Sequence, residues 1–217
     1  MVRLVLSIAL AALTVLSVLS LDARLAGVRA DDLVACTKGN GDTQLRGCSR
    51  IIKSRRLYGK PISKKNLSII HYKRGRAYNN KKQYDRAIAD YDKAIKLNPK
   101  FASAYTGRGV TYDDKGQYDR AIAEYTHAIK LNPQYIKAYN NRAWAYFKWG
   151  KAAKGLPDAN KAIELDPKYA YAYGTRGHIY EALDRKDEAI ADLQKALELN
   201  PSIEVNKEAL KRLGVTP

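Results

Sequence analysis

Gln83-Tyr84-Asp85-Arg86-Ala87-Ile88-Ala89 returns as Gln117-Tyr118-Asp119-Arg120-Ala121-Ile122-Ala123, and Ala94-Ile95-Lys96-Leu97-Asn98-Pro99 returns as Ala128-Ile129-Lys130-Leu131-Asn132-Pro133. Both recurrences have a 34-residue spacing, and the stretches 68–101 and 102–135 share 18 identities. A fixed period of this length marks a repeat architecture in which each unit is one supersecondary element. Two further copies follow at 136–169 and 170–203. Four columns run through all copies: Arg74, Arg108, Arg142, Arg176; Tyr78, Tyr112, Tyr146, Tyr180; Ala94, Ala128, Ala162, Ala196; and Pro99, Pro133, Pro167, Pro201.

Within one copy, Tyr105, Arg108, Gly109 and Tyr112 follow the i, i+3, i+4, i+7 spacing of a helix face, and Ala121, Ile122, Tyr125, Ala128 and Ile129 do the same for a second helix. Lys115-Gly116-Gln117 breaks the first helix; Leu131-Asn132-Pro133 ends the second, because proline forces the residue before it out of the helical region. Each copy is therefore a helical hairpin. The small-residue columns Gly75, Gly109, Ala143, Gly177 and Ala87, Ala121, Gly155, Ala189 let its two helices approach closely. One hairpin cannot bury its apolar face alone, so the copies must stack into an all-α solenoid. The 16 tyrosines against 2 phenylalanines indicate that tyrosine fills core positions of that stack.

The period, the Gly and Tyr of the first helix, the Gly-x-Tyr turn, the two alanines of the second helix and the closing Pro resemble the tetratricopeptide repeat family over Ser68 to Ile203. The Asn-Arg-Ala-x-x-Tyr and Tyr-Asp-Arg-Ala-Ile-Ala-Asp-Tyr strings resemble its exported bacterial members. The resemblance implies a right-handed superhelical solenoid of four hairpins, whose concave groove, lined by first helices, binds an extended peptide or a partner helix. Mapped onto the inner face of each first helix, this gives a candidate groove of Tyr72, Lys73, Arg76, Thr106, Asn140, Asn141, Trp144, Phe147, Tyr171 and His178. The family's best-known clamp for a C-terminal carboxylate is not matched, since Asn141 is followed in the next repeat by Tyr171 and Thr175.

The ends read as caps. Val205, Ala209, Leu210 and Leu213, with charges between them, make 204–217 a capping helix. Leu45, Cys48, Ile51 and Ile52 match the second-helix pattern, so 31–67 reads as a lone half repeat over Thr43 to Arg56 followed by a link, Tyr58 to Ser63. Before these, Leu4 to Leu21 is uncharged and apolar, and Val28-Arg29-Ala30 fits a signal-peptidase site. Residues 1–30 are thus read as a signal peptide, the alternative being an uncleaved inner-membrane anchor, and the chain is expected in the periplasm or outside the cell. Cys36 and Cys48, twelve apart in an exported chain, are read as a structural disulfide, with two buried thiols as the alternative.

Net charge is +17; removing Arg3, Arg24, Arg29 and Asp22 with the leader leaves +15. Thirteen Lys and Arg and no Asp or Glu lie between Thr43 and Tyr84. No nucleophile elbow, phosphate loop or His-Glu-x-x-His is present, the three histidines have no metal-ligand spacing, and His71 stands in the column of Tyr105, Tyr139 and Tyr173. A non-enzymatic interaction scaffold without cofactor or metal is expected, its partner a protein or peptide with an acidic segment. The alternative is a basic adaptor that binds an anionic polymer or membrane surface through 43–84. Export argues against nucleic acid, and the sequence specifies no oligomeric state. The arginine column is expected to pair with Asp90, Glu124, Asp158 and Asp192, sixteen residues on. In the third copy Gly155 and Pro157 predict a second helix that starts late, near Leu156, or kinks.

Overall fold

A computed structural model describes residues 30–216. The leader reading rests on residues 1–29 and lies outside the described residues. The chain runs α1 (Ala30–Lys38), α2 (Gly41–Ser54), β1 (Arg56–Leu57), β2 (Lys60–Pro61), α3 (Lys64–Asn80), α4 (Tyr84–Leu97), α5 (Ala102–Asp114), α6 (Tyr118–Leu131), α7 (Ile136–Lys148), α8 (Ala152–Leu165), α9 (Ala170–Ala182), α10 (Lys186–Leu199) and α11 (Glu204–Arg212). Each helix packs on the next, giving a helical solenoid.

The turn column explains how every hairpin reverses. Lys82, Gly116, Gly150 and Asp184 all adopt positive φ (57°, 74°, 73° and 57°), a conformation open to glycine at little steric cost. At the other end, Asn98, Asn132, Asp166 and Asn200 precede proline and take extended ψ, and each donates its amide to the carbonyl of the alanine column, Ala94, Ala128, Ala162 or Ala196. Local sequence thus sets identical 14-residue second helices.

Packing between the two helices follows a size rule. A Cβ at Gly75 or Gly109 would come within 2.9 or 2.7 Å of the ring of Tyr91 or Tyr125, both 1% exposed. The third hairpin inverts this arrangement: Ala143 replaces the glycine, Ala159 replaces the tyrosine, and Gly155 admits the backbone oxygen of Ala143 at 2.7 Å from where its Cβ would stand. Ile179 of the next repeat fills the space against Ala143, Ala152 and Ala159.

Contrary to the late start expected near Leu156, α8 begins at Ala152, in step with its counterparts. Tertiary packing of α8 on α7 overrides the cost of Pro157. The first turn closes differently: Lys154 N donates to Lys151 O, an i to i−3 bond, where Ala87, Ala121 and Ala189 make i to i−4 bonds.

The arginine column rivets the stack. Arg74 donates to Asp90 (Nε–Oδ2 2.6 Å), Arg142 to Asp158 (2.6 Å) and Arg176 to Asp192 (2.6 Å), each linking the two helices of one hairpin; Arg108 binds Glu124 through Nη2 at 2.8 Å. The remaining Nη1 reaches back one unit, from Arg74 to Ser49, from Arg108 to Asp92, from Arg142 to Thr126 and from Arg176 to Asn160. His71, in the tyrosine column, is buried and joins this network through Nδ1, 2.9 Å from Asp90 Oδ1.

At the N-terminus the half repeat does not stand alone. Its helix α2 packs on α1, a nine-residue first helix, and Cys36 of α1 and Cys48 of α2 are joined by a disulfide, both sulfurs buried. The expected link is a two-stranded antiparallel hairpin pairing Arg56 with Pro61 and Leu57 with Lys60, and the first full repeat starts at Lys64, four residues ahead of Ser68. Ser63 caps α3 by accepting from Asn66 N.

Candidate functional site

Successive first helices α3, α5, α7 and α9 touch one another, while each second helix meets the next hairpin through its first helix. A double layer with that contact pattern is tighter on the first-helix side, which is therefore the inner face. Two cavities lie in tandem on it, and Asn141 lines both.

The N-terminal cavity, about 270 Å³, is walled by Tyr72, Arg76, Thr106, Tyr135 and Lys137. Gly107 keeps it open: a Cβ there would meet the Tyr91 ring at 2.7 Å, and the missing side chain leaves the floor to tyrosine. Tyr72 packs obliquely on Phe101 and Tyr91 (5.2 and 6.0 Å between centroids), and the Arg76 guanidinium stands 6.0 Å over its ring. Burial pushes the Tyr72 hydroxyl above its ordinary pKa of 10.0, so it stays a neutral donor.

The C-terminal cavity, about 230 Å³, lies between α7, α9 and α11. Its walls are apolar: Trp144, Tyr171, Ile203 and Val205, the tyrosine and valine 52% and 44% exposed at the rim. Its floor is polar and buried: Asn140, Thr175, His178 and Asn206. Thr175 Oγ1 donates to Asn140 Oδ1 at 2.9 Å, whereas Nε2 of His178 and Nδ2 of Asn206 have no partner among the described residues. Burial pulls the His178 pKa below its ordinary 6.5, against the pull of Glu181 3.5 Å from Nδ1, so the ring is neutral at pH 7. The site thus combines an apolar slot with a floor of buried polar groups, His178 and Asn206 standing beside one another, the chemistry suited to a side chain with a polar end.

Of the ten groove residues expected from sequence, eight line these cavities. Lys73 lines neither; its column continues as Gly107, Asn141 and Thr175, and the lysine is half-buried on α3. Phe147 also falls outside, because its ring packs into the core beneath Trp144 (5.0 Å) with Ala143 and Ile179. Trp144 does both jobs, facing the cavity and meeting His178 edge-on at 5.4 Å.

Sequence reasoning missed Gly174, Ile203, Val205 and Asn206. The signal was present: at successive 34-residue steps before Asn206 stand Ala172, Ala138, Ala104 and Ile70, so an asparagine occupies an apolar buried column in a fifth, unfinished first helix. Asn206 fits because Gly174 has no side chain; a Cβ there would lie 2.7 Å from Nδ2.

Among the described residues no cluster of three or more His, Cys, Asp or Glu forms a metal site, and no helix is long and apolar enough to cross a membrane. Family models described as TPR repeat and tetratricopeptide repeat match residues 75–116 and 111–150, and 136–169 and 170–203. No curated protein sequence matches the chain. Among solved structures, MamA superposes with a TM-score of 0.63 at 26% identity, covering 80% of this chain and 95% of that one. The first TPR of Spaghetti (RPAP3), solved with the HSP90 peptide SRMEEVD, gives 0.50 at 34% identity over 52% and 90%. The first TPR domain of human RPAP3 gives 0.52 at 33% over 54% and 92%.

Proposed function

The chain belongs to the tetratricopeptide repeat family, and from that premise we propose that it is a non-enzymatic scaffold holding an extended segment of a partner protein along its inner face, in the periplasm or outside the cell. The observation that carries the reading is the pair of tandem cavities joined by Asn141, one polar and flanked by Arg76 and Lys137, the other apolar around Trp144. An acidic part of the ligand lies over the first cavity and an apolar part over the second. Asn140 and Asn141 bond peptide groups without demanding a sequence. A similar structure, the first TPR of Spaghetti (RPAP3), is bound to the HSP90 peptide SRMEEVD, which supports a peptide as the ligand. The clamp residues for a terminal carboxylate are not matched here, so an internal extended segment fits better. Export is supported by the apolar run at Leu4 to Leu21 and by the cystine.

Peptides selected from a random display library and titrated by fluorescence anisotropy test this. Trp144→Ala should weaken binding by about 1–3 kcal/mol at any salt, and Arg76→Ala with Lys137→Ala should act mainly at low salt. If Trp144→Ala lowers only thermal stability and leaves affinity alone, the groove reading fails.

A further inference from the structure

The hairpin that replaces the expected link has an unusual composition for a connector. Arg55, Arg56 and Lys60 surround its turn, Lys53 precedes it, Lys64 and Lys65 follow it, and Tyr58 stands at the tip, 61% exposed. None of these six cations pairs with a carboxylate among the described residues; of the thirteen in the 43–84 field, only Arg50, Arg74 and Lys81 do. The hairpin is well anchored. Leu57 and Ile62 pack against the core of Cys36, Cys48, Ile51 and Ile70, Ile62 N donates to Arg55 O, and Arg56 Nη1 ties the turn to Gly59 O at 2.8 Å. An exposed tyrosine with φ of 51° in a fixed basic turn is not explained by packing.

Its place in the chain supplies the direction. Helices α1 and α2 are antiparallel, and Asp32 in the first turn of α1 accepts from Arg50 near the end of α2 at 2.6 Å. Leu33 packs on the same core as Leu57 and Ile62. The point where the chain enters from residues 1–29 is therefore on the hairpin's side of the molecule. The uncharged run Leu4 to Leu21 ends nine residues before Ala30. Nine residues reach at most about 32 Å, so in the uncleaved form, with that run in a bilayer, the hairpin is held beside the headgroups, whereas the form cleaved after Ala30 docks through the hairpin alone.

We propose that hairpin 55–62, with Lys53, Lys64 and Lys65, is a docking site for an anionic membrane surface. The guanidinium and ammonium groups contact lipid phosphates, and Tyr58 places its ring at the headgroup level with the hydroxyl in water. This site lies apart from the groove and leaves the inner face free for a partner.

The full chain, recovered from an exporting host in the form that host leaves it, is sedimented with vesicles of phosphatidylcholine alone and with 30% phosphatidylglycerol. The wild type should bind the anionic vesicles at least about tenfold more tightly at low salt, with the preference collapsing near 0.5 M salt. Arg55→Ser with Arg56→Ser and Lys60→Ser should weaken anionic binding on the order of a hundredfold, from about 1 kcal/mol per cation near the surface. Tyr58→Asn should weaken it several-fold at both salts. Circular dichroism and intact mass verify that each variant keeps its helices and its disulfide, and peptide binding in the groove should be unaltered. Equal binding to both vesicles, a triple variant that binds like wild type, or tighter binding to a thymidine 30-mer than to anionic vesicles at the same salt overturns the proposal.

Discussion

Arg108 grips Glu124 through one nitrogen: Nη2 lies 2.8 and 2.9 Å from the two carboxylate oxygens, while its buried Nε finds no acceptor among the described residues. In the other three hairpins the partner is Asp, one methylene shorter, and Nε and Nη2 each meet their own oxygen. Glu124→Asp should therefore stabilise the protein by about 1 kcal/mol by satisfying Nε. Urea unfolding measures it, and an unchanged or lowered midpoint would contradict the fork geometry.

Removing a fork without its partner should be costly. Arg142→Ala leaves Asp158 buried without its two bonds and cuts the tie to Thr126, so a loss of about 2–4 kcal/mol is expected. Arg142→Lys should recover less than half, since an ammonium cannot span both oxygens and reach Thr126. Thermal unfolding of the two variants compares them directly.

Acid should weaken the C-terminal end through His178. Its folded pKa is depressed by burial, so the unfolded chain takes up a proton below about pH 6.5 that the folded protein refuses. The stability concerned is fully present above the unfolded pKa and is lost as pH falls through the folded one. His178→Gln should flatten that limb of the stability curve between pH 6.5 and 5, as followed by denaturant unfolding at each pH.

The leader and the cystine can be read from one intact mass: the exported protein should begin at Asp31 and lack two hydrogens. Cys36→Ala with Cys48→Ala should cost about 3 kcal/mol for a closed loop of this length. In a solenoid the damage stays near its origin, so hydrogen exchange should rise in 30–54 and not in 170–212.

In α8 two substitutions should move stability in opposite directions. Pro157→Ala restores an amide to the helix interior and should stabilise by about 1–3 kcal/mol. Gly155→Ala would gain helix propensity anywhere else, but its Cβ would press on Ala143 O, so it should destabilise. A thermal shift of the same sign for both would refute the close approach of α7 and α8.

Sequence alone was enough for the repeat: a 34-residue period carries two helices, a positive-φ turn and a pre-proline stop in every copy, because these are short-range steric and hydrogen-bonding effects that each copy repeats. The arginine forks were also legible, since a column and its partner sixteen residues on face each other once the hairpin is drawn. Eight of the ten residues that helical periodicity places on the inner face line its two cavities. Which of those side chains open a cavity was decided only in three dimensions. Phe147 turns into the core because Ala143 and Ala159 leave it room, and Asn206 enters the floor because Gly174 is bare. The start of α8 at Ala152 and the partner helix α1 depended likewise on contacts between elements, where packing against a neighbouring helix outweighs a local preference. Periodicity states which face of a helix a residue occupies; the volume of its neighbours across the interface decides whether it fills space or leaves it.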